Sequence, residues 1–342
     1  MHIGIAFTLK PDTPPPPGAP DDVHEEFDSP ATVQAIARVL RSLGHTVSEL
    51  GDGRPFLEAV LRQPPDLVFN FAEGTGISRS RESRVPAVCE MLDIPCTGSD
   101  PLTLAVALDK DMTRRLVEPL GVTIPRGITL APPPEEYDGE GAEFAAVLAE
   151  AGLTLPVIAK PTCEGSSKGV RNRCLVRTPE EFGPVVIELW KNYRQPVLVE
   201  EFIAGDEVTV GIVGNDPPES LGIMRMIPKQ PTDSFIYSLE VKRNWEATVE
   251  YEAPANLPRG VCQAVEADAL AVFAGLNCRD LARADFRVRD GVPYFLEINP
   301  LPGLSPDSGD LVFLAQRMGI DYPRLIGMIL DAAIGRCGLA GK

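Results

Sequence analysis

Histidine is nearly missing from this chain. There are three, His2, His24 and His45, and none follows residue 45. A Ser–His or Cys–His nucleophile pair built on the later three hundred or so residues is thereby excluded, as is a histidine-rich metal centre there. The seven cysteines are odd in number and show no CxxC spacing. A disulfide framework or zinc site is not expected, and free thiols suit a reducing, cytoplasmic setting. No apolar run approaches the roughly 18 residues of a membrane span, and no basic start, apolar run and cleavage site combine into a leader. Positive charge is short as well: 32 basic against 49 acidic residues give a net charge of -17. Nucleic acid and anionic membrane surfaces are therefore not expected partners, although small anions can still bind where a few cations converge.

What is present reads as an ordinary globular protein, 44% hydrophobic and 24% charged over 342 residues, enough for two or three packed domains. The first block alternates short apolar runs with helical patterns. His2–Phe7, Thr46–Leu50 and Asp66–Phe71 read as strands, and Thr32–Leu43, Phe56–Leu61 and Pro86–Leu92 as helices, with Ile94–Thr97 a short segment after them. That βαβ rhythm predicts a parallel sheet covered by helices. A proline-dense stretch, Pro11–Pro20, follows the first strand as a stiff loop or a lid.

A second block begins near Val122. It holds a Pro- and acid-rich connector (Pro132–Glu140), a helix at Glu143–Ala151, strands at Pro156–Lys160, Val170–Val176 and Pro196–Phe202, and a helix at Glu180–Trp190. The last block has strands at Glu207–Val213 and Gly222–Ile227, a helix at Gly260–Leu276 and strands at Arg279–Arg289 and Val292–Asn299. Asp290-Gly291 between those two is a hairpin signal. Helices at Asp310–Met318 and Tyr322–Ile334 close it.

Three constellations carry chemistry. Glu164-Gly-Ser-Ser-Lys-Gly169, directly after Val157-Ile-Ala-Lys160, offers closely spaced N–H groups and hydroxyls that can fold over phosphates, with Lys160 as a point charge. A surface hairpin turn uses the same residue types. The loop also spells G-x-S-x-G, but β-branched residues follow it and no later histidine exists, so a hydrolase elbow is not expected. A P-loop pattern is absent. Second, Glu297 and Asn299 are two apart on one strand and share a face, which Asp285 can meet across the hairpin. Three oxygen ligands without nitrogen or sulfur suit Mg²⁺, or Mn²⁺ in its place. Third, Val197-Leu-Val-Glu-Glu-Phe-Ile203 is an apolar strand ending in two acids, which alone is no more than an edge strand with a polar end.

Taken in order, Thr97-Gly-Ser-Asp100, Leu108-Asp-Lys110, Lys160-Pro with Glu164–Gly169, Val199-Glu-Glu-Phe-Ile203, Gly205–Val210, Arg283-Ala-Asp-Phe286 and Phe295–Gly303 resemble the D-alanine–D-alanine ligase branch of the ATP-grasp superfamily, over roughly residues 86–335. The resemblance implies an α/β fold, α+β in its ATP-grasp part. An N-terminal parallel-sheet domain (1–121) would be followed by a central (122–204) and a C-terminal (205–342) ATP-grasp subdomain. It further implies that Lys110, Lys160 and Lys242 reach the ATP phosphates, that Ser166 and Ser167 close over them, that Glu200, Glu201, Phe202 and Ile203 hold adenine and Glu207 the ribose, and that Asp285, Glu297 and Asn299 bind the metal. Arg283, Gly303 and Ser308 fall where the family grips the second amino acid and steadies the tetrahedral intermediate, so Arg283, Ser166 and Lys242 are the expected catalytic groups.

The chain departs from the family around the first substrate. Pro11–Pro20 and Glu25-Glu-Phe-Asp28 replace a Gly-rich loop that bears a glutamate. Asn70-Phe-Ala-Glu-Gly74 and Ser80-Arg-Glu82 replace a His-Gly segment, and Arg243 stands for a common tyrosine. The expectation is therefore an ATP-dependent ligase that activates a carboxylate as an acyl phosphate and transfers it to an amine. Its first substrate would be other than D-alanine and would be selected by Glu26, Asp28, Glu73, Arg81 and Arg243. A true D-alanine–D-alanine ligase and a non-catalytic nucleotide-binding module are the alternatives. Small carboxylates and amino acids are the expected partners, and a homodimer is allowed.

Overall fold

The computed structural model describes residues 1–132 and 144–341. The connector expected at Pro132–Glu140 lies, beyond its first residue, outside them. Three sheets follow one another along the chain. β1 (His2–Phe7), β2 (Thr46–Gly51) and β3 (Leu67–Phe71) form a parallel sheet in the order β2-β1-β3, extended by a bridge between Val68 and Cys96. All five residues of β3 are buried, the pattern of a parallel strand covered on both faces. α1 (Pro30–Ser42) starts where Ser29 accepts the Thr32 N–H and proline occupies the first turn. Its Val33, Ile36, Ala37 and Leu40 then face the sheet at helical spacing. α2 (Gly53–Arg62) and α3 (Arg84–Met91) cover the other side through Phe56, Val60, Val85 and Cys89.

Two short helices that periodicity does not single out, α4 (Pro101–Leu108) and α5 (Lys110–Val117), are each begun by an aspartate. Asp100 accepts from Thr103 N–H, and Asp109 from those of Asp111 and Met112. The cap at Asp109 places Lys110 on the first residue of α5, facing inward.

The second sheet is antiparallel, β4 (Gly127–Leu130), β7 (Val197–Glu201), β5 (Val157–Pro161) and β6 (Leu175–Val176) in that spatial order, backed by α6 (Phe144–Glu150) and α7 (Pro179–Tyr193). The strand expected over Val170–Val176 shrinks to the two residues of β6, preceded by a 3₁₀ turn, Asn172–Cys174. Neighbours outside the sheet take its polar groups. The Val170 carbonyl accepts from Leu239, the Asn172 N–H donates to Glu240, and the Asn172 side chain accepts from Ser238.

The third sheet runs β10 (Val249–Glu252), β9 (Glu219–Pro228), β8 (Asp206–Val213), β11 (Leu281–Arg289), β12 (Val292–Asn299), all antiparallel. α8 (Leu239–Arg243) and α9 (Trp245–Thr248) lie between β9 and β10. α10 (Arg259–Gly275) packs on one face, and α11 (Asp310–Arg317) and α12 (Tyr322–Arg336) on the other. The Asp290-Gly291 turn has positive φ at both residues, 53° and 78°, the primed turn that matches strand twist. Counting back from it, Phe286 pairs with Phe295, yet Asp285 pairs with Glu297 rather than Leu296, because the register slips between them. A residue opposite its partner shares its face, so this one-residue bulge is what turns Glu297 and Asn299 to the side of Asp285.

Candidate functional site

Between the second and third sheets lies a cleft with an apolar wall of Ile158, Phe202, Ile236 and Leu296 and a charged floor. Lys110 donates to the Glu164 carbonyl at 2.5 Å and pairs with Glu297 at 3.0 Å; Lys160 pairs with Glu200 at 2.5 Å. Burial works against the charge on Lys110, but Glu297 beside it wins and raises its pKa. Glu297 answers in kind: desolvation would raise it, whereas Lys110, Lys160 and Arg283 hold it well below the ordinary carboxylate range. Arg287 binds Glu207 at 2.7 Å and lies over the Phe202 ring, 4.8 Å from its centroid. Burial raises Glu207 even so, with Arg287 opposing it. Glu201 turns away to Arg289 at 2.6 Å.

On the shared face of β11 and β12, Asp285 accepts from Thr209 at 2.6 Å, from Arg283 at 2.8 Å and from the Asn299 amide at 3.4 Å. Arg283 also reaches Asp310 at 3.3 Å, and Lys242 reaches the same carboxylate at 3.5 Å while lying over the Tyr237 ring. Desolvation raises Asp310, but Lys242 and Arg283 bring it below its ordinary value. Tyr237 donates to Asp310 at 2.9 Å and exchanges a short hydrogen bond with Tyr251. Tyr237 and Asp310 are site residues that no motif announced.

Two further cavities meet at Ser166, Arg283 and Gly303. The larger, about 480 Å³, is also lined by Asp28, Lys242, Arg243 and Ser308; the smaller, about 30 Å³, by Glu73, Glu82 and Asn299. Ser166 and Ser167 both hold left-handed backbone, φ 49° and 58°, which costs a residue with a side chain about 1 kcal/mol or more. Ser167 donates to the Tyr237 carbonyl at 3.0 Å. That strained turn aims the Ser166 side chain into the space shared by the two cavities.

The phosphate-type loop is latched rather than loose. Glu26 accepts from the Gly165 N–H at 2.5 Å, and Asp22, wholly buried, accepts from Gly169 N–H, Tyr193 and Arg171 at 2.8–3.1 Å. Arg81, 1% exposed, forks between Glu26 at 2.7 Å, Glu164 at 3.1 Å and the Cys163 carbonyl at 2.8 Å. Arg243 is spent in the same way on Asp21 at 2.6 Å and Glu25 at 2.7 Å. The five charges expected to choose the first substrate therefore divide. Arg81, Glu26 and Arg243 bind the loop after β1 to the phosphate-type loop and to α8, whereas Glu73 and Asp28 line the cavities without a side-chain partner among the described residues. Desolvation pushes Asp28 up to about 7. Asp22 and Lys168 escape a sequence reading because their partners lie far away in the chain.

Among the described residues no group of three His, Cys, Asp or Glu side chains is set for a metal, and no helix is long and apolar enough to cross a membrane.

Residues 120–331 match the model of the D-ala D-ala ligase C-terminus family. A D-alanine–D-alanine ligase of Aquifex aeolicus is 32% identical over 300 residues, covering 87% of this chain and 93% of its own. Among solved structures, a D-alanine–D-alanine ligase of Bacillus anthracis complexed with ATP superposes with TM-score 0.72 at 21% identity, covering the whole of both chains. The VanG D-Ala:D-Ser ligase of Enterococcus faecalis gives 0.71 at 19% identity, over 97% of this chain and 99% of that one.

Proposed function

The chain belongs to the D-alanine–D-alanine ligase family of ATP-grasp, amide-forming ligases, and from that premise we propose that it condenses two molecules of D-alanine at the expense of ATP. The observation that carries the reading is the convergence of Lys110, Lys160, Lys242, Arg283, Asp285, Glu297 and Asn299 around one cleft and the two cavities opening beside it. Of the five charges expected to select a different first substrate, Arg81, Glu26 and Arg243 have protein partners. The reading also keeps the division at 1–121, 122–204 and 205–342, which follows the three sheets.

Adenine would lie against Ile158, Phe202 and Ile236, with Glu207 toward the ribose. Lys110, Lys160 and Lys242 would meet the phosphates, and Ser166 and Ser167 would cover them. Two carboxylates and an amide oxygen fit Mg²⁺, which keeps waters and shares phosphate oxygens rather than demanding a full protein cage. Bound by Asp285, Glu297 and Asn299, it would offset phosphate charge. The carboxylate of the first amino acid attacks the γ-phosphate, giving an acyl phosphate and ADP. The amine of the second attacks that carbonyl and phosphate leaves. Arg283, a guanidinium held by Asp285 and Asp310, would steady the oxyanion in between. The closed loop keeps water from the acyl phosphate.

Phosphate release from ATP, measured with D-alanine alone and with a panel of other amino acids and small carboxylic acids, tests this. D-alanine giving the fastest release supports it; a clearly better first acid restores the other substrate class.

A further inference from the structure

The smaller cavity holds an imbalance of charge. Glu73 and Glu82 line it, Glu26 and Glu164 repel that pair from nearby, and the cations beside the four glutamates serve the latter two. Arg81 pairs with Glu26 and Glu164, and Lys168 with Glu164 at 2.8 Å and Glu26 at 3.5 Å. Glu26 has a backbone N–H in addition. Glu82, 7% exposed, and Glu73 have no hydrogen bond or ion pair with any described residue, and both line the cavity. Glu73 is half-buried, but a carboxylate as buried as Glu82 is costly to keep charged without a partner unless something entering the cavity supplies the missing cation.

Resting on the proposed function, we infer that Glu73 and Glu82, rather than Glu26, form the subsite for the ammonium group of the amino acid whose carboxylate is activated. The same cavity is lined by Ser166, of the phosphate-type loop, and by Asn299 and Arg283, of the metal-ligand face. A zwitterion entering this way has its ammonium at the glutamates and its carboxylate at the phosphates. A volume of about 30 Å³ admits little beyond the ammonium group, and the rest of the amino acid then lies in the larger cavity that shares Ser166, Arg283 and Gly303.

The titration of the pair agrees. Desolvation first, and then repulsion from Glu82, Glu26 and Asp28, raises Glu73 well above its ordinary value, Arg81 opposing. Desolvation likewise pushes Glu82 up to about 8, with Glu26 and Glu164 adding to it and Arg81 and Lys110 opposing. Glu82 holds a proton at neutral pH, and an arriving ammonium releases it to solvent. Use of the first amino acid therefore improves as pH rises through about 8.

The test is steady-state kinetics of the full chain, Glu82→Gln and Glu73→Gln with D-alanine and Mg-ATP, from about pH 6 to about pH 9. The expected result is a KM for the first amino acid raised about tenfold or more, a KM for ATP within about twofold of wild type, a flattened alkaline rise and an undiminished thermal midpoint. Unchanged amino-acid KM values in both variants overturn the inference. Should the wild type ligate no amino acid, the proposed function fails separately. The subsite is then judged by thermal shift: a shift with D-alanine that propionate does not give and Glu82→Gln abolishes supports it, and any other pattern overturns it.

Discussion

Replacing Arg81 by methionine tests how the loop after β1 and the phosphate-type loop are joined. Methionine keeps much of the apolar stem but removes three charge-assisted or carbonyl hydrogen bonds. Glu26 and Glu164 would be left in the interior with Lys168 as their one shared cation. Removing one partner of a buried ion pair costs about 3–5 kcal/mol, most of it the penalty of the charge left behind. At about 2 °C per kcal/mol, the thermal midpoint should fall by roughly 6–10 °C. Arg81→Lys, which keeps a charge but cannot fork to three acceptors, should fall between the two. The assay is thermal and urea unfolding of the three proteins, followed by kinetics on those still folded. A stability for Arg81→Met within about 0.5 kcal/mol of wild type would show that Arg81 does not join the two loops. Unchanged stability with a raised amino-acid KM would instead return Arg81 to the substrate contact that its place in the sequence suggested.

Deleting Leu296 should take out the extra residue of the bulge in β12 while leaving Glu297 opposite Asp285 and Asn299 opposite Arg283; circular dichroism should show a folded protein that keeps Mg-ATP turnover, and a folded protein without turnover would count against that register. Asp22→Ala should free the Gly169 N–H and Tyr193, so that the loop Glu164–Gly169 is cut by protease faster without nucleotide and is protected again by Mg-ATP; equal cutting of variant and wild type denies the latch. Glu82 has a folded-state pKa raised from 4.5 to about 8, so the folded chain binds more protons than the unfolded one in that window. Its stability is full below about 4.5 and is lost as pH rises through about 8; unfolding midpoints across that range should fall in wild type and fall less in Glu82→Gln.

The parts legible in the sequence are those set by local pattern. β1 and β12 fall where alternation and apolar runs placed them, and Asp290-Gly291 turns as its residues dictate. The face shared by Asp285, Glu297 and Asn299 was legible only in part. Period-two counting puts Glu297 beside Asn299, but the hairpin alone pairs Asp285 with Leu296, and the bulge that corrects this has no signature in the residues. Val170–Val176 looked like a strand because its β-branched residues were weighed without Ser238, Leu239 and Glu240, which take its polar groups. Arg81 and Arg243 looked like substrate contacts because charged loop residues have no visible partners in one dimension. Their carboxylates lie 55 to 222 positions away.

The central claim is that this cleft couples ATP cleavage to amide formation between amino acids. The most direct measurement follows purified chain, Mg-ATP and D-alanine by phosphate release and by mass spectrometry of the product, with Glu297→Gln beside it. One dipeptide per phosphate is expected from wild type and neither product from the variant. Phosphate without dipeptide, or equal turnover by Glu297→Gln, would contradict the claim.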